Sequence, residues 1–420
     1  MLVFKFGGAS VKDANGIVNL ANIVKKYDGQ QLLIVVSAMG KTTNALEKLT
    51  KAYVERQGDV QVIFDDIKKY HFAILEQLFE ASDPIFDEVA NTFVEIDWII
   101  EDEPHDDYDF TYDQIVSIGE MVSTRIVNAY LNKTGIKSQW LDVRGYVQTD
   151  NTYREGKVQW DKTRAAISKA IPAILEKGIV VTQGFLGGTS ENFTTTLGRE
   201  GSDYTASIFA ACLDAESVTT WKDVPGILNA DPKFFSDTVK FDQLSYTEAI
   251  EMTYYGATVI HPKTIKPLQN ARIPLYVKSF TDPDASGTII KADVVTVFTK
   301  PVIILKQNQA LLSISAKDYS FISENHLSYI FGLFAQNQVK VNVMQTSALS
   351  FTVCFDLYEE RFNKLLQGLS QDFKVKYNYN LTLITVRHHT PASLKELTAD
   401  KTVLLEQVSR NTVQLVVNAG

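Results

Sequence analysis

The sequence contains little cysteine, no long apolar run and no excess of basic residues, and each absence excludes a class of protein. Only two cysteines occur, Cys212 and Cys354, and neither has a partner at metal-ligand spacing. Both lie in apolar stretches, which is typical of buried residues in a reducing compartment. The formal net charge of −9 disfavours a nucleic-acid partner or an anionic membrane, because both bind basic surfaces.

Signals for export or membrane insertion are also absent. The first residues, Met1 to Lys5, do not form the basic segment followed by an apolar one that marks a signal peptide. No apolar run approaches the ~18 residues that are needed to span a bilayer. We therefore expect a cytoplasmic protein.

At 420 residues the chain is too long for one compact core, so we expect more than one domain. Short apolar runs, such as 1–6 and 32–36, end at glycine or serine and alternate with helical patterns. This order is typical of an α/β fold with a parallel sheet. Between about residues 42 and 127, apolar residues recur at helical spacing without a clear strand, which predicts a helical insertion.

The pattern changes near residue 295. Strands predicted at 303–305 and 310–315 open a βαββαβ order that closes at residue 379, and part of a second copy follows. The sequence therefore predicts one domain at 1–295 and a smaller, repeated region at 296–420.

The first motif with chemical character joins Lys5 to Gly7 and Gly8 at the end of the first strand. Two glycines let the backbone turn tightly and approach a ligand closely. Their N–H groups at a helix N-terminus, together with the Lys5 ammonium, would bind an anion such as phosphate. The spacing is that of neither a P-loop nor a dinucleotide fingerprint, and a plain turn is the alternative.

The second motif is the segment 194–204, which combines hydroxyls, glycines, Arg199 and Asp203 and opens a helix predicted at 204–213. Arg199 can direct two donors at a substrate carboxylate. Asp203 is either a helix cap or the partner of a catalytic lysine or a hydrated Mg²⁺. The convergence of polar groups and glycines favours a functional loop.

The third motif, at 221–233, ends a strand at Asp223 and continues through a Pro-Gly turn to an Asp-Pro pair. Ligands of open parallel sheets lie outside the carboxyl ends of the strands, where this loop is expected. By contrast, His261 before Pro262 is more typical of a structural histidine than of a base.

Taken together and in this order, seven segments resemble the aspartokinases of the amino-acid kinase family. They are KFGGAS, SAMGKTTN, GE, TQGF, TTTLGREGSDYTA, WKDVPGILNADPK and GATVIHP. Some are shared with kinases of glutamate, acetylglutamate and UMP, but the combination is much more specific. The likeness covers nearly the whole chain.

The resemblance implies a three-layer αβα kinase fold with a mainly parallel sheet, followed by paired ferredoxin-like ACT domains. The first ACT domain would span 310–379. An incomplete second would combine 301–308 with 380–420, because one unit is inserted in the other in this family. The implied enzyme is an aspartate kinase, which transfers the γ-phosphate of MgATP to the β-carboxylate of L-aspartate. Its product, 4-phospho-L-aspartate, leads toward lysine, threonine and methionine.

The resemblance also assigns roles to single residues. Lys5 and Gly8 would hold the phosphates at the transition state, and Asp203 would orient Lys5 or the metal shell. Arg199 would bind the α-carboxylate of aspartate and Glu120 its α-ammonium. The whole amino-acid pocket would consist of Ser37, Thr43, Glu120, Phe185, Arg199 and Ser202. The nucleotide would contact Gly7, Ser10, Lys222, Asp223, Leu228, Asp231, Lys233 and Thr258. Mg²⁺ would be held mainly by phosphates and water, without a dedicated protein cage.

Four positions depart from the usual family pattern, namely Glu200, Lys222, Lys233 and Thr258, where Gly, Thr, Arg and Lys are common. We hypothesise that Lys222 supplies the positive charge that Thr258 lacks. A carboxylate at Glu200 would repel phosphates unless it turns outward or binds metal.

The C-terminal region implies regulation by an amino acid. The segment 326–348 matches the effector-binding segment of ACT pairs, and Asn342 and Ala348 stand where lysine-sensitive relatives often have acidic residues. The sequence therefore leaves lysine and threonine open as effectors. The second copy lacks the terminal helix that relatives usually carry. Exposed sheet edges favour pairing between copies, so we expect a homodimer or a larger homo-oligomer.

Two alternatives remain. A kinase for glutamate would differ by one methylene in its substrate, which is worth only about 1–3 kcal/mol in a pocket, although the paired ACT units favour aspartate. A catalytically silent amino-acid sensor would keep the kinase half as a scaffold. The presence of Lys5, Glu120, Arg199 and Asp203 argues against such a silent protein.

Overall fold

The computed structural model describes residues 1–257, 260–318 and 320–419, which divide into two compact units. The first unit comprises Met1–Ile227, Lys240–Ile250 and 260–296. The second comprises Leu228–Val239, 251–257 and 297–419. Within the described residues, every helix is too short or too polar to traverse a lipid bilayer.

The described residues of the first unit form ten strands, ten α-helices and two short 3-10 helices, and the helix α9 ends in the second unit. The strands are β1 (Leu2–Phe6), β2 (Leu32–Val36), β3 (Ser138–Leu141), β4 (Ile179–Gln183), β5 (Leu186–Gly188), β6 (Thr194–Thr196), β7 (Ser217–Lys222), β8 (Gln243–Ser245), β9 (Leu275–Ser279) and β10 (Thr288–Lys291). The helices are α1 (Ala14–Lys25), α2 (Thr42–Glu55), α3 (Val60–Leu78), α4 (Ile85–Glu101), α5 (Tyr108–Val116), α6 (Ile118–Lys133), α7 (Trp160–Leu175), α8 (Gly201–Cys212), α9 (Tyr246–Tyr254) and α10 (Pro262–Ala271).

Eight of these strands form one sheet in the order β3-β4-β2-β1-β7-β9-β10-β8. All neighbouring pairs are parallel except β9 and β10, which are antiparallel. The five residues of β2 are all apolar and all buried, as expected for a parallel strand that is covered on both faces. The predicted α/β fold with a mainly parallel sheet is confirmed, and α2 to α6 form the predicted helical insertion.

The side chains of β1 point alternately to an aromatic core on one face and to a charged site on the other. Phe4 and Phe6 lie on one face and pack against Trp221 of β7, with ring centroids 5.6 and 6.0 Å from the indole. Because successive side chains of a strand point to opposite faces, Lys5 points the other way, toward α8. The β1–β7 register places Lys5 beside Thr220. A single buried strand therefore supplies both a packed core and a cation.

The described residues of the second unit form an antiparallel sheet in the order β12-β13-β11-β14-β16-β15. Its strands are β11 (Val302–Ala316), β12 (Val341–Thr346), β13 (Phe351–Asp356), β14 (Phe373–Arg387), β15 (Lys401–Val408) and β16 (Thr412–Ala419). Its helices are α11 (Glu324–Gln336), α12 (Glu359–Asp372) and α13 (Pro391–Thr398). Helices α11 and α12 cover a core centred on Leu312, Phe334 and Phe355, and α13 covers a second core around Ile384 and Val386.

The sheet joins two ferredoxin-like halves through its two longest strands. We predicted separate strands at 303–305 and 310–315, but both belong to β11, which continues through a bulge between Lys306 and Leu311. Polar residues at the bulge hid this continuity in the sequence. β11 and β14 pair with each other along their length. The second half of β11 also pairs with β13, which pairs with β12, and the second half of β14 also pairs with β16, which pairs with β15.

The segment 228–239 is tied to the first strand of this sheet. Asn229 is 4% exposed, and its side chain accepts a hydrogen bond from the Val239 N–H at 2.7 Å. Its amide group donates to the Pro301 carbonyl at 3.0 Å. Its backbone carbonyl accepts from the Ile303 N–H at 2.7 Å. The loop therefore belongs structurally to the C-terminal sheet rather than to the strand that precedes it.

Candidate active site

The candidate residues of the first unit gather at the carboxyl ends of four adjacent parallel strands. Strands β4, β2, β1 and β7 are neighbours in the sheet, and each is followed or ended by a predicted site residue. These residues are Phe185 after β4, Ser37 after β2, Gly7 and Gly8 after β1, and Lys222 at the end of β7. Open parallel sheets bind ligands at this edge.

The centre of the site is a buried ion pair between β1 and α8. The Lys5 Nζ atom lies 3.2 Å from Asp203 Oδ1, and the two side chains are 8% and 2% exposed. The Thr220 hydroxyl donates to the same carboxylate oxygen at 3.3 Å. Because α8 begins at Gly201 rather than at the predicted Tyr204, Asp203 lies inside the first helical turn and is not the cap residue.

A second lysine faces the same carboxylate. The Lys222 Nζ atom lies 3.6 Å from Asp203 Oδ2 and 3.8 Å from Glu200 Oε2. Burial alone would raise the pKa of Asp203, but the Lys222 and Lys5 ammonium groups outweigh it and lower that pKa. Asp203 therefore stays ionised between the two ammonium groups.

Glu200 precedes α8 with a left-handed backbone, at φ +57°. A left-handed backbone is unfavourable for a residue with a side chain. Such residues are often found at functional sites, where the surrounding structure holds them in place. Burial, with the neighbouring Asp203 carboxylate, raises the pKa of Glu200 against the opposing effect of Lys222. The Lys222 ammonium, 3.8 Å away, is thus the partner that the sequence did not reveal for this carboxyl group.

The glycines of the first motif pack against the loop that follows β2, residues 37–42, which we call the serine loop. The Gly40 N–H donates to the Gly8 carbonyl at 3.0 Å. A Cβ atom on Gly8 would lie 2.7 Å from the Ala38 carbonyl oxygen and 2.9 Å from that of Gly40. Glycine is therefore required at position 8 by this close approach.

Glu120 lies in the first turn of α6 and is 2% exposed. Its Oε1 atom accepts a hydrogen bond from the Ala38 N–H at 3.2 Å, whereas its buried Oε2 atom has no hydrogen-bond partner among the described residues. Burial raises the pKa of Glu120 to about 8, although the Ala38 hydrogen bond opposes this rise. A buried carboxylate with one unused oxygen is suited to receive a cationic group.

The other residues that were predicted to form the amino-acid pocket differ in their exposure to solvent. Phe185 and Ser202 are buried at the junction of β4 and α8, and Thr43 is half-buried in the first turn of α2. Arg199 is exposed, and within the described residues no hydrogen bond or ion pair engages its guanidinium. The Ser10 hydroxyl is buried and donates to the Trp221 carbonyl at 3.4 Å, so it connects the loop after β1 to β7.

The predicted nucleotide residues fall in different parts of the chain. Asp223 follows β7 and is exposed. Leu228, Asp231 and Lys233 belong to the second compact unit, where Asp231 accepts from the Lys233 N–H at 2.9 Å and both side chains are exposed. Thr258 lies outside the described residues.

One buried carboxylate escaped the sequence analysis. Asp113 of α5 is fully buried and accepts hydrogen bonds from the Thr196 N–H, the Thr196 hydroxyl and the Arg154 N–H, at 2.7 to 2.9 Å. Thr196 ends β6, three residues before Arg199. Burial raises the pKa of Asp113 to about 6. No sequence signal marked it, because its partners lie more than 40 residues away in the chain.

Comparisons with known proteins agree with this arrangement. A family model described as the amino acid kinase family matches residues 1–279. Lysine-sensitive aspartokinase 3 of Escherichia coli is 34% identical over 360 residues, which cover 85% of this chain and 78% of that protein.

Solved structures show the same fold over the whole length. E. coli aspartokinase III in complex with aspartate and ADP superposes with a TM-score of 0.83 at 28% identity, and covers 100% of this chain and 96% of that one. The complex of the same enzyme with lysine and aspartate gives a TM-score of 0.81 with the same identity and coverage. The chain therefore belongs to the aspartokinases of the amino acid kinase family and is a phosphotransferase.

Proposed function

We propose that this protein transfers the γ-phosphate of MgATP to the β-carboxylate of L-aspartate and forms 4-phospho-L-aspartate. The observation that carries the proposal is the buried pair of Lys5 and Asp203 at the carboxyl edge of the sheet. The pair lies beside the turn at Gly7 and Gly8, which we call the glycine turn. The relatives whose complexes contain aspartate and ADP support the same substrates for this chain.

The proposed chemistry needs no general base on the protein. The β-carboxylate of aspartate is ionised at neutral pH and attacks the γ-phosphorus in line. Catalysis then consists of positioning the reactants and neutralising the charge on the transferred group. Lys5 and the amides of Gly7 and Gly8 supply that neutralisation, and Asp203 holds the Lys5 ammonium in place.

In the amino-acid pocket, Arg199 binds the α-carboxylate of aspartate and Glu120 its α-ammonium. Glu120 suits this role because its buried Oε2 atom gains a partner when an ammonium arrives. Ser37, Phe185 and Ser202 lie at the same sheet edge and complete the pocket.

Mg²⁺ is proposed to arrive with the nucleotide. Among the described residues, no three His, Cys, Asp or Glu side chains are grouped as metal ligands. Asp203 is flanked by two ammonium groups, so it fits the role of a lysine partner better than that of a metal ligand. The phosphates and water would hold the ion, as is usual for MgATP. The roles of Leu228, Asp231, Lys233 and Thr258 at the nucleotide stay predictions.

Regulation and assembly are part of the same proposal. The second unit is proposed to contain ACT domains at 310–379 and at 301–308 with 380–420, and to bind lysine or threonine. The solved complex of E. coli aspartokinase III with lysine supports lysine as the first effector to test. Asn342, in the proposed effector segment, is already bonded to Lys306 and Gln309 at 2.9 and 2.8 Å. A homodimer is proposed through this region, which sedimentation velocity will test.

The function is tested by trapping the acyl phosphate. The purified protein is incubated with MgATP, L-aspartate and hydroxylamine, and both the hydroxamate and ADP are measured. Equal amounts of ADP and aspartyl hydroxamate are expected. L-Glutamate in place of aspartate is the matched control, and a faster rate with glutamate would transfer the assignment to a glutamate kinase. Absence of hydroxamate with either acid would leave only the amino-acid sensor.

A further inference from the structure

The turn after β1, which carries Gly7 and Gly8, and the serine loop both contact the same helix. This helix contains no predicted site residue. The Ser37 N–H donates to the Phe6 carbonyl at 3.1 Å, and the Gly40 N–H donates to the Gly8 carbonyl, so the two loops are joined directly. The helix that contacts both is α3, which belongs to the helical insertion. Two consecutive residues of α3, Tyr70 and His71, contact these loops.

Tyr70 touches both loops at once. Its hydroxyl donates to the carbonyl of Lys12, which ends the short helix at Gly8–Val11. The same oxygen lies where a Cβ atom on Gly40 would come within 2.7 Å. Gly40 has φ +56°, a backbone conformation that favours glycine, and the Tyr70 hydroxyl fills the space that glycine leaves.

His71 supports the end of the serine loop from the interior. It is fully buried between α2 and α4, and its ring lies 5.5 Å from that of Phe93. Its Nδ1 atom bonds the Ile67 carbonyl at 2.8 Å, and its Nε2 atom lies 3.4 Å from the Thr42 hydroxyl. That hydroxyl donates to the Met39 carbonyl at 2.6 Å, which closes the loop. Burial lowers the pKa of His71 to about 4, so the ring is neutral.

We propose that Tyr70 and His71 are positioning residues for phosphoryl transfer. They touch no reacting atom, but they fix the glycine turn and the serine loop relative to each other from the back of both. A displacement of either loop would misplace the Gly8 amide or the Ser37 and Thr43 side chains. Near-attack geometry is sensitive to such displacements, which reduce turnover more than they reduce folding stability. This inference rests on the proposed function of the two loops.

The test compares Tyr70→Phe with Tyr53→Phe. Tyr53 is a matched control, because it also donates its hydroxyl to backbone carbonyls, those of Ile99 and Asp102 at 2.6 and 2.9 Å, but contacts neither loop. We expect Tyr70→Phe to lower kcat about tenfold while the KM values for ATP and aspartate change by less than about threefold. Tyr53→Phe should retain the wild-type kcat. A His71→Leu variant should show the same loss of kcat as Tyr70→Phe.

Amide hydrogen exchange provides a readout that does not depend on which substrate is used. Exchange in segments 7–12 and 37–42 should be faster in Tyr70→Phe than in the wild type and in Tyr53→Phe, with an unchanged melting temperature. A wild-type kcat in Tyr70→Phe, or unchanged exchange in both segments, would overturn the positioning role. If the wild type forms no acyl phosphate from aspartate or glutamate, the proposed function fails, and the exchange result alone decides whether α3 holds the loops.

Discussion

The Lys5 ammonium and the Asp203 carboxylate meet at 3.2 Å although 198 residues separate them in the chain, and both are nearly inaccessible to solvent. The approach depends on β1 directing Lys5 toward α8 and on α8 beginning at Gly201, two residues before Asp203. A buried ion pair is weak evidence for stability, since desolvation offsets much of the attraction. Its position at the glycine turn therefore favours a catalytic reason for it.

Replacing Lys5 by methionine should abolish most of the activity without unfolding the protein. The variant loses the cation at the transferring phosphoryl group, and kcat should fall by about 10²–10³. Asp203 keeps Lys222 within 3.6 Å, so the remaining carboxylate is still compensated. The hydroxamate assay and thermal unfolding measure the two effects. Lys26→Met, which breaks the exposed Lys26–Asp284 pair, is the control and should retain full activity.

Replacing Lys222 by threonine should weaken nucleotide binding selectively. A charge-assisted contact is worth about 1.5–3 kcal/mol, so KM for ATP should rise about tenfold or more. The KM for aspartate should stay near its wild-type value. Lys68→Thr removes a lysine of comparable exposure, paired with Asp65 at 3.1 Å, and serves as the control. An unchanged KM for ATP in Lys222→Thr would reject the idea that this residue replaces a lysine at position 258.

Aspartate binding should release a proton at pH 7. With a pKa of about 8, Glu120 in the free enzyme is mostly protonated at that pH. The incoming α-ammonium favours the ionised carboxylate, so about one proton is released per aspartate bound. For the same reason, affinity for aspartate should rise as the pH increases from 7 to 8 and level off above 8.

Calorimetry in buffers with different ionisation enthalpies measures this proton. The observed binding enthalpy of the wild type should vary linearly with the buffer enthalpy. Glu120→Gln should bind aspartate more weakly and show no such dependence. A wild-type enthalpy that is the same in every buffer would contradict the assigned role of Glu120.

Replacing Asn229 by alanine tests the proposed contact between the loop 228–239 and the nucleotide. The buried amide satisfies the Val239 N–H and the Pro301 carbonyl, and its loss leaves both without this partner, at a cost of about 1–3 kcal/mol. We expect a higher KM for ATP with little change for aspartate. Asn337→Ala removes a comparable bond, to the Leu333 carbonyl at 2.8 Å in the same unit, and should leave both KM values unchanged. Equal effects of the two variants would argue against a role of the loop at the nucleotide.

The sequence predicted the layers of the fold because each layer has a local pattern. Continuous apolar runs of strand length such as 32–36, ended by glycine or serine, are typical of buried strands of a parallel sheet, and the helical spacing of 42–127 indicated helices rather than strands. The start of α8 was placed three residues too late, because Gly201, Ser202 and Asp203 have low helix propensity. Tertiary packing overrides that propensity: Ser202 is pressed against Gly184 at the end of β4.

Contacts across long sequence separations could not be predicted from local patterns. In α3, Tyr70 is partly exposed, and its more polar neighbour His71 is the buried residue of the pair. Glu200 posed a question in the sequence because its partner Lys222 arrives from another strand. The partners of Asp113 likewise come from β6 and from the loop that precedes α7. In each case the information lies in contacts between elements that are distant in the chain, which no local period encodes.

The two fifteen-residue strands of the C-terminal sheet have a mechanical consequence. Because β11 and β14 continue through both ferredoxin-like halves, with one bulge in their pairing, the two halves share two covalently continuous strands. We therefore expect the two halves to unfold together in a single cooperative step. A small molecule bound against one half would strain the strands of its neighbour. We expect the strands to bend at the bulge at residues 306–311.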